Sequence, residues 1–305
     1  MPTLRQLEYF VTLADTLHFR RAAERVNTTQ STLSAQLKAL EERLGVELVE
    51  RTHSRVMLTS VGEEVVGIAR RMLIDAREIR DLAKRRTGKL SGVLRLGIPP
   101  TIGPSLLPRV IPKLRDEFPH LKLYVKEELP ASLPTGLEQG HYDVIITPLL
   151  TANSDQCAAA LFEEPLLLVL SALHPLALHK EIAWSDLKDL EVLALAPGHQ
   201  CHDLVQTLCQ SSGARMLFDF EGTSLDMLRE MVSTGLGCTF MPGLYVRARI
   251  ENEPSLVIRS IEGHRVSRTV SIAWRKSTSR RRELERLANL IRAEIATVLA
   301  DFACD

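Results

Sequence analysis

The amino-acid sequence predicts an α-rich winged helix-turn-helix, a long linker helix and a following α/β domain of two lobes. Apolar residues recur at helical spacing near the start of the chain, and a heptad pattern fills residues 59–86. From residue 93 onward, strand and helix patterns alternate. A chain of 305 residues is long enough for about two domains, and the change of pattern near residue 90 indicates where they meet.

Three predicted helices open the chain and share one apolar core. A short second helix between two longer ones is typical of a helix-turn-helix. Asn27 interrupts the pattern before the third helix, and Thr28 or Thr29 is placed to cap its N-terminus. The residues predicted to face inward are Leu4, Leu7, Phe10, Val11 and Ala14, then Ala22, Ala23 and Val26, and then Leu33, Leu37, Leu40 and Leu44.

The outward face of the third helix carries short amide and hydroxyl side chains. Such groups at the N-terminal end of a helix can bond base edges in the major groove, while flanking cations meet phosphates. A solitary amphipathic helix with a solvated face would show the same residues. The candidate DNA contacts around this helix are Arg20, Thr29, Gln30, Ser31, Ser34, Gln36 and Lys38.

Two short extended runs, at residues 46–51 and 56–58, predict a hairpin wing after the third helix. Arg51 and Arg55 lie near its tip. We expect both arginines to contact the DNA backbone or the minor groove.

Residues 1 to about 60 resemble the winged helix-turn-helix of LysR-type bacterial transcriptional regulators. The matching motifs are Leu4-Arg-Gln-Leu-Glu-Tyr-Phe10, Ala22-Ala23, Gln30-Ser-Thr-Leu-Ser34, Leu40-Glu-Glu-Arg-Leu-Gly45 and Leu58-Thr-Ser-Val-Gly62. The resemblance implies a cytoplasmic regulator that binds double-stranded DNA and works with RNA polymerase, and it implies no enzymatic activity.

The charge distribution agrees with a nucleic-acid partner, although the whole chain is formally neutral. Residues 1–92 hold 16 Lys and Arg against 12 Asp and Glu, a net charge of +4, and the remainder has a net charge of −4. No apolar run approaches the roughly 20 residues needed to cross a membrane, and no signal peptide is recognisable. We therefore expect no membrane association.

One long helix is predicted from Thr59 to about residue 86. Its apolar residues recur at alternating steps of four and three, as in a two-stranded helical seam. We interpret it as a dimerising linker, which would pair two DNA-reading helices; packing on its own effector domain is the alternative. The apolar positions are Val65, Ala69, Met72, Ala76, Ile79 and Ala83. Along the chain we expect a DNA-binding domain at 1–60, the linker at 61–87, a hinge at 88–92 and an effector domain at 93–305.

The alternation after residue 93 predicts a mostly parallel sheet with helices on both faces. The LysR-type resemblance extends over this half and implies a periplasmic-binding-protein-like effector domain with a ligand cleft between two lobes. We expect lobe I at about 93–163 and 269–305, and lobe II at about 164–268. The same resemblance implies a homotetramer assembled through the effector domains, which respond to a small effector.

Two threonines precede predicted helices at the carboxyl ends of strands, where ligands of α/β sheets bind. Thr101 follows the first strand of this domain, and Thr223 precedes a later helix. Each is a candidate effector contact, and each fits a plain helix cap equally well.

Two cysteines, Cys201 and Cys209, lie eight residues apart around a loop and a predicted helix. His199 and His202 flank the first, and both an imidazolium and a helix N-terminus favour the thiolate that peroxide attacks. A sulfenate on Cys201 could condense with Cys209 only if the helix between them unwinds, which would make a redox switch.

This segment is similar to that of the peroxide-sensing LysR-type regulators. The resemblance implies that Thr101, His199 and Arg275 line a peroxide pocket. Two positions depart from the pattern: the usual reactive cysteine falls on Gln200, and a second pocket threonine falls on Pro130. Gln200 therefore also fits a pocket that hydrogen-bonds a small polar ligand.

Other interpretations of these cysteines remain open. Cys201 and Cys209 could be structural thiols, the two could form a zinc site with His199 and His202, or Cys201 could serve a hydrolase. Zinc ligands usually come as two closely spaced pairs in the sequence, and Cys209 has no second ligand near it. A hydrolase would leave residues 1–86 unexplained. We expect no cofactor and no metal. The remaining cysteines, Cys157, Cys238 and Cys304, show no partner spacing.

Overall fold

This computed structural model describes residues 1–51, 55–84, 90–148, 155–218 and 222–300. The chain divides into two units, Met1–Gly88 and Lys89–Asp305. The middle of the predicted wing turn, Gly88 and Lys89 of the predicted hinge, and Cys304 lie outside the described residues. In the described part, no helix is both long enough and apolar enough to span a bilayer.

The described part of the first unit contains four helices and a two-stranded hairpin. Helix α1 spans Leu4–Thr16, α2 Phe19–Arg25, α3 Gln30–Leu44 and α4 Ser60–Lys84, and strands β1 (Val49–Arg51) and β2 (Val56–Leu58) form the hairpin. The two strands are antiparallel, with Val49 opposite Leu58. The order of these elements is that of a winged helix-turn-helix.

Side-chain caps define the helix boundaries in this unit. Thr3 and Gln6 form a reciprocal capping box at the start of α1. The Thr29 hydroxyl accepts a hydrogen bond from the Thr32 amide at 3.2 Å and so caps α3. Helix α3 ends at Gly45, whose φ of 72° is the left-handed conformation that glycine adopts without strain.

The core of the first unit includes most of the residues predicted to face inward. Leu33, Leu37 and Leu40 of α3 are fully buried, as are Phe10 and Ala22. The prediction was wrong at the helix ends. Leu4 is 48% and Leu44 37% exposed, because one is the first residue of α1 and the other the last of α3, where the chain leaves the core.

The apolar residues of α4 lie on two faces of the helix rather than along a single seam. Ala69 is buried and packs in the core of the first unit, and an ion pair between Arg70 and Asp15 also connects α4 with α1. By contrast, Ile68, Met72 and Ile79 are 51%, 46% and 68% exposed. The face of α4 turned away from its own core therefore carries uncovered apolar side chains.

Gly62 lies where the first turn of α4 meets the backbone before the wing. A Cβ atom at this position would stand 2.1 Å from the Leu48 carbonyl oxygen, which cannot move aside as a side chain can. We expect Gly62→Ala to destabilise the first unit by about 1–3 kcal/mol or more, the usual cost of overpacking. Gly67→Ala is the control, because nothing lies within 4 Å of its Cβ. Thermal unfolding of both variants checks this, and equal melting temperatures would contradict it.

The second unit contains fifteen named helices and strands among the described residues. They are β3 (Gly92–Ile98), α5 (Gly103–Glu117), β4 (Leu121–Glu127), α6 (Leu133–Glu138), β5 (Val144–Thr147), β6 (Gln156–Ser171), β7 (Glu191–Val192), α7 (Gln200–Ser212), β8 (Arg215–Met216), α8 (Leu225–Ser233), β9 (Thr239–Pro242), α9 (Gly243–Arg249), β10 (Leu256–Arg259), β11 (Ser267–Arg275) and α10 (Arg281–Leu299). Short 3-10 turns connect several of them. Helix α9 and strand β10 were not predicted from the sequence.

The main sheet has seven strands in the order β10-β6-β11-β5-β3-β4, and β9 also pairs with β6. Strand β3 runs parallel to β4 and β5. The prediction of a mostly parallel sheet was wrong, because β6 is antiparallel to β9, β10 and β11, and β11 is antiparallel to β5. Strands β7 and β8 form a separate parallel pair.

Strand β6 contributes residues to three apolar cores. Its residues 156–165 pair with β11, and residues 166–171 pair with β9 and β10. One core lies between the sheet and helices α5 and α10, and two others lie around α7, α8 and the second half of β6. This crossing strand brings the loop after β3, the start of α7 and the start of β11 together.

Candidate functional site

The exposed face of α3 presents most of the predicted DNA contacts to solvent. Thr29, Gln30, Ser31 and Lys38 are exposed, and Ser34 and Gln36 are half-buried. Arg20 on α2 and Arg55 after the wing tip are also exposed. The Thr29 hydroxyl also lies 2.9 Å from that of Ser31 and 2.8 Å from that of Thr32. Arg51 ends β1, and its side chain lies outside the described part.

A buried arginine organises the centre of the second unit. Arg268, near the start of β11, pairs with Glu164 of β6 at 2.7 Å, and the two side chains are 0% and 1% exposed. Glu164 also accepts a hydrogen bond from the Leu244 amide in α9 at 2.9 Å. Because both charges are paired and hydrogen-bonded, the ion pair is tolerated without solvent.

The same guanidinium connects Thr101 and Cys201. Its Nη1 donates to the Thr101 hydroxyl at 3.2 Å and to the Cys201 Sγ at 3.1 Å. Its Nη2 donates to the Thr101 carbonyl oxygen at 3.2 Å. The loop after β3, the first turn of α7 and the start of β11 thus converge on one polar cluster, which we call the Arg268 cluster: Thr101, Glu164, Cys201 and Arg268.

Cys201 is held as a thiol beside a cation. Burial raises the pKa of the Cys201 thiol, and the neighbouring Arg268 opposes that rise only in part. A contact from a guanidinium to sulfur is nevertheless the arrangement that stabilises a thiolate once a proton leaves. The cluster therefore combines a low resting reactivity with a group that supports the reactive form.

Cys209 faces a different core. It is buried with Val205 and Cys238, whereas Cys201 belongs to the core around Leu225 and Met241. Burial raises the pKa of Cys209 to about 11. Eight residues of continuous α-helix separate the two cysteines by about 12 Å along the axis. A bond between them requires α7 to unwind.

His199 and Gln200 lie at the N-terminus of α7, beside Cys201. His199 is 1% exposed, and neither ring nitrogen has a hydrogen-bond partner among the described residues. Burial lowers its pKa, with a further contribution from His202, so the ring is neutral. Gln200 donates to the Pro148 carbonyl oxygen at 3.2 Å and so connects α7 with the loop after β5.

The prediction that Arg275 lines this site was wrong. Arg275 lies at the opposite end of β11, where it donates to the Leu137 carbonyl oxygen at 2.7 Å and lies 3.6 Å from the Asp143 carboxylate. Arg275 lies seven residues of extended strand away from Arg268, a distance of about 23 Å along the strand. Arg268 is the arginine that sequence reasoning missed. The available signal was a second arginine in the predicted returning strand, with the acidic Glu164 before Pro165 as a possible counterpart.

An open cleft of about 590 Å³ borders His199 and Thr223. Thr223 is exposed there, whereas Thr101 is buried in the Arg268 cluster. The other described residues that line the cleft are Pro100, Pro104, Ser105, Glu127, Glu128, Leu129, Ser224, Leu225, Asp226 and Tyr245. In the described ranges no group of three His, Cys, Asp or Glu is arranged to hold a metal ion, so the zinc interpretation has no support there.

Comparison with known families gives two matches that together cover most of the chain. Residues 4–63 match the family described as "Bacterial regulatory helix-turn-helix protein, lysR family". Residues 87–296 match the "LysR substrate binding domain". The two matches fall on the two structural units.

Individual relatives agree with these matches. The chain is 36% identical to the Escherichia coli "DNA-binding transcriptional dual regulator OxyR" over 292 residues, which is 96% of this chain and 95% of the relative. It is also 33% identical to the "HTH-type transcriptional regulator EstR" of Acinetobacter baylyi over 98% of this chain and 99% of that one.

Solved structures are similar over nearly the whole chain. A full-length OxyR cysteine-to-aspartate variant from Pseudomonas aeruginosa superposes with a TM-score of 0.78 at 38% identity, covering 95% of this chain and 94% of that one. A hydrogen-peroxide-bound cysteine-to-serine variant of Corynebacterium glutamicum OxyR gives a TM-score of 0.66 at 30% identity, covering 98% and 94%. The chain is not an enzyme but a DNA-binding transcriptional regulator, and it belongs to the LysR family.

Proposed function

We propose that this regulator responds to peroxide through Cys201. The observation that carries the proposal is the 3.1 Å contact between the Cys201 Sγ and the Arg268 guanidinium, beside the Thr101 hydroxyl. Thr101 and Arg268 can hydrogen-bond a peroxide oxygen, and Arg268 stabilises the thiolate that attacks it. The proposal is supported by relatives described as "Hydrogen peroxide-inducible genes activator" that are 36% identical over 96% of the chain.

The proposed reaction consumes one peroxide and two thiols. The Cys201 thiol loses its proton, the thiolate attacks one peroxide oxygen, and the O–O bond breaks to give a sulfenic acid and hydroxide, which takes up a proton and leaves as water. The Cys209 thiol then attacks the sulfenic sulfur, and a second water leaves as the disulfide forms. Two thiols lose two electrons and peroxide gains them. Because α7 separates the two sulfurs, the helix must unwind before the second step, and the Gln200 bond to Pro148 is then broken.

We infer that this rearrangement controls DNA binding through the assembly. The apolar face of α4, formed by Ile68, Met72 and Ile79, would pair two chains, and effector domains would join two such pairs into a tetramer. Unwinding of α7 would alter the spacing of the DNA-binding domains and the recruitment of RNA polymerase. Because the partner is chromosomal DNA, we place this activity in the bacterial cytoplasm.

Peptide mapping after stoichiometric peroxide tests the proposed chemistry. The parent protein should yield a peptide pair joined between Cys201 and Cys209, and Cys209→Ser should accumulate a trapped sulfenic acid on Cys201. Cys157→Ser serves as the control, because Cys157 is a thiol outside the cluster, and should behave as the parent does. Oxidation that leaves Cys201 untouched would contradict the proposal.

The rate of Cys201 oxidation should rise with pH. Because burial raises the pKa of this thiol, the thiolate is the minor form near neutral pH, and its fraction grows about tenfold per pH unit below the pKa. We therefore expect sulfenic acid formation in Cys209→Ser to accelerate about a hundredfold between about pH 6 and about pH 8. A rate independent of pH in that window would mean that Arg268 outweighs burial.

A second candidate function is regulation by a small polar ligand without cysteine chemistry. The buried Gln200 Oε1 and both ring nitrogens of His199 have no partner among the described residues, so this end of α7 offers unsatisfied hydrogen-bonding groups. Cys201 and Cys209 would then be structural. A regulator of this kind would ignore peroxide and change its DNA footprint with a metabolite bound near Thr101, His199, Gln200 and Thr223.

We retain Arg20, Thr29, Gln30, Ser31, Ser34, Gln36, Lys38, Arg51 and Arg55 as the proposed DNA contacts. Gln30→Ala should weaken operator binding by about 1–3 kcal/mol and relax the preference for one base pair. Lys38→Gln should weaken binding to every DNA sequence by the same factor. The slope of log affinity against log salt concentration should fall by about one, the value expected for one lost phosphate contact. Fluorescence anisotropy with operator and scrambled DNA measures both effects. If Gln30→Ala discriminated between operator and scrambled DNA as well as the parent does, the assignment of α3 as the helix that contacts the bases would be contradicted.

A further inference from the structure

We propose that the cleft beside His199 binds a small organic cation with an ammonium group and a short apolar stem. The cleft belongs to the sensing unit, so the inference rests on the assignment of that unit as the sensor. It does not require the peroxide reaction. It assigns a chemical class of ligand to a surface separate from the Arg268 cluster.

The wall of the cleft is acidic. Glu127 at the end of β4, Glu128 beside it and Asp226 in the first turn of α8 all line the cleft. None of the described lining residues is Lys or Arg. Glu128 pairs with Lys126 at 2.6 Å, outside the lining, and this contact helps to lower the pKa of Glu128. The Arg229 guanidinium interacts with Asp226 and Tyr245 and offsets part of this charge, and Glu127 keeps the wall negative.

Two helix N-termini lie at the cleft. Helices α5 and α8 begin there, and such termini ordinarily attract anionic ligands. Here the chain supplies its own carboxylates. The Glu127 Oε1 would lie 3.3 Å from a Cβ placed on Gly103, the first residue of α5, and Asp226 lies in the first turn of α8. An anionic ligand would meet two carboxylates at the positions that would otherwise attract it.

A buried histidine also lines the cleft. His199 borders the cleft, is 1% exposed, and has no partner for either ring nitrogen in the described part of the chain. Burial keeps its pKa low, so one nitrogen carries a lone pair that can accept a hydrogen bond. An ammonium group has three donors and no acceptor. It matches a site built from carboxylates and a neutral imidazole.

The remaining wall is suited to a hydrocarbon stem. Leu129, Leu225, Pro100 and Pro104 provide apolar surface. The Tyr245 ring lies beside them, and its hydroxyl donates to Asp226 at 2.7 Å, which orients that carboxylate. A volume of about 590 Å³ lies within the range of small-molecule sites. A short alkylamine or diamine therefore fits both the chemistry and the space.

Isothermal titration of the reduced, full-length protein tests the proposal. The probes are 1,4-diaminobutane, butylamine and succinate, compared at one ionic strength. The two amines should bind and succinate should not. Glu127→Gln and Asp226→Asn should each weaken diaminobutane binding about tenfold. Glu181→Gln is the matched control, because Glu181 is an exposed carboxylate on a different groove.

Three results would overturn the proposal. They are no heat of binding from either amine, succinate binding as tightly as diaminobutane, or amine binding unaffected by both Glu127→Gln and Asp226→Asn. Operator affinity and peroxide mapping of the same preparations separate this failure from failure of the proposed function. A protein that still forms the Cys201 to Cys209 bond but binds no amine retains the peroxide function and loses only the cation site.

Discussion

Arg268→Met is expected to destabilise the second unit by about 3–5 kcal/mol, the usual cost of removing one partner from a buried ion pair. The substitution leaves the Glu164 carboxylate without its cation in a site that is 1% exposed, and it also removes the donors to Thr101 and Cys201. Urea unfolding followed by tryptophan fluorescence measures the effect. Both tryptophans, Trp184 and Trp274, lie in the second unit, so the signal reports on that unit alone.

Two further variants distinguish the cost of leaving a buried charge unpaired from the cost of losing an ion pair as such. Arg215→Met breaks the exposed pair with Glu191 and should cost less than about 1 kcal/mol. The double variant Arg268→Met with Glu164→Leu removes both charges and should recover much of the lost stability. Equal costs for Arg268→Met and Arg215→Met would contradict the central place that we give to Arg268.

The double variant Met72→Asp with Ile79→Asp is expected to prevent dimerisation and to lower operator affinity by about 10²- to 10⁴-fold. Both side chains are largely exposed on α4, and two carboxylates on each chain would repel one another across a paired seam. A monomer carries a single DNA-binding domain. It therefore loses the added operator affinity that a dimer obtains by binding two linked half-sites at once. Analytical ultracentrifugation and anisotropy with a full operator measure the two effects.

Leu173→Asp provides the control for the added charge. Leu173 is 94% exposed in the second unit and lies outside the α4 face, so its replacement should leave the dimer intact. A dimer that survives both substitutions on α4 would favour the alternative that this helix packs elsewhere.

The elements with regular periodicity could be predicted from the sequence. Helix α3 begins after Thr29, one of its two predicted caps, and its spaced leucines are buried as predicted except for Leu44. Strand direction could not be predicted. The sheet was expected to be mostly parallel because strands and helices alternate, but alternation does not reveal that β6 crosses between apolar cores and meets β11 antiparallel.

The same limit explains the error at the site. Arg268 and Arg275 lie near opposite ends of β11, and only the direction of that strand in the sheet decides which of them meets Thr101. The environment of Cys201 also depends on the fold. The sequence places histidines beside it and suggests a lowered pKa, whereas burial raises that pKa and the cation beside the sulfur is Arg268, from 67 residues further along the chain.

The most direct test of the account is a DNA footprint of the reduced regulator before and after stoichiometric peroxide, with Cys201→Ser and Cys209→Ser run beside the parent. We predict that the parent footprint shifts and that neither variant shifts, because only a disulfide between the two sulfurs holds α7 in its unwound state. A parent footprint that does not change, or a Cys201→Ser footprint that shifts as the parent does, would contradict peroxide sensing at the Arg268 cluster.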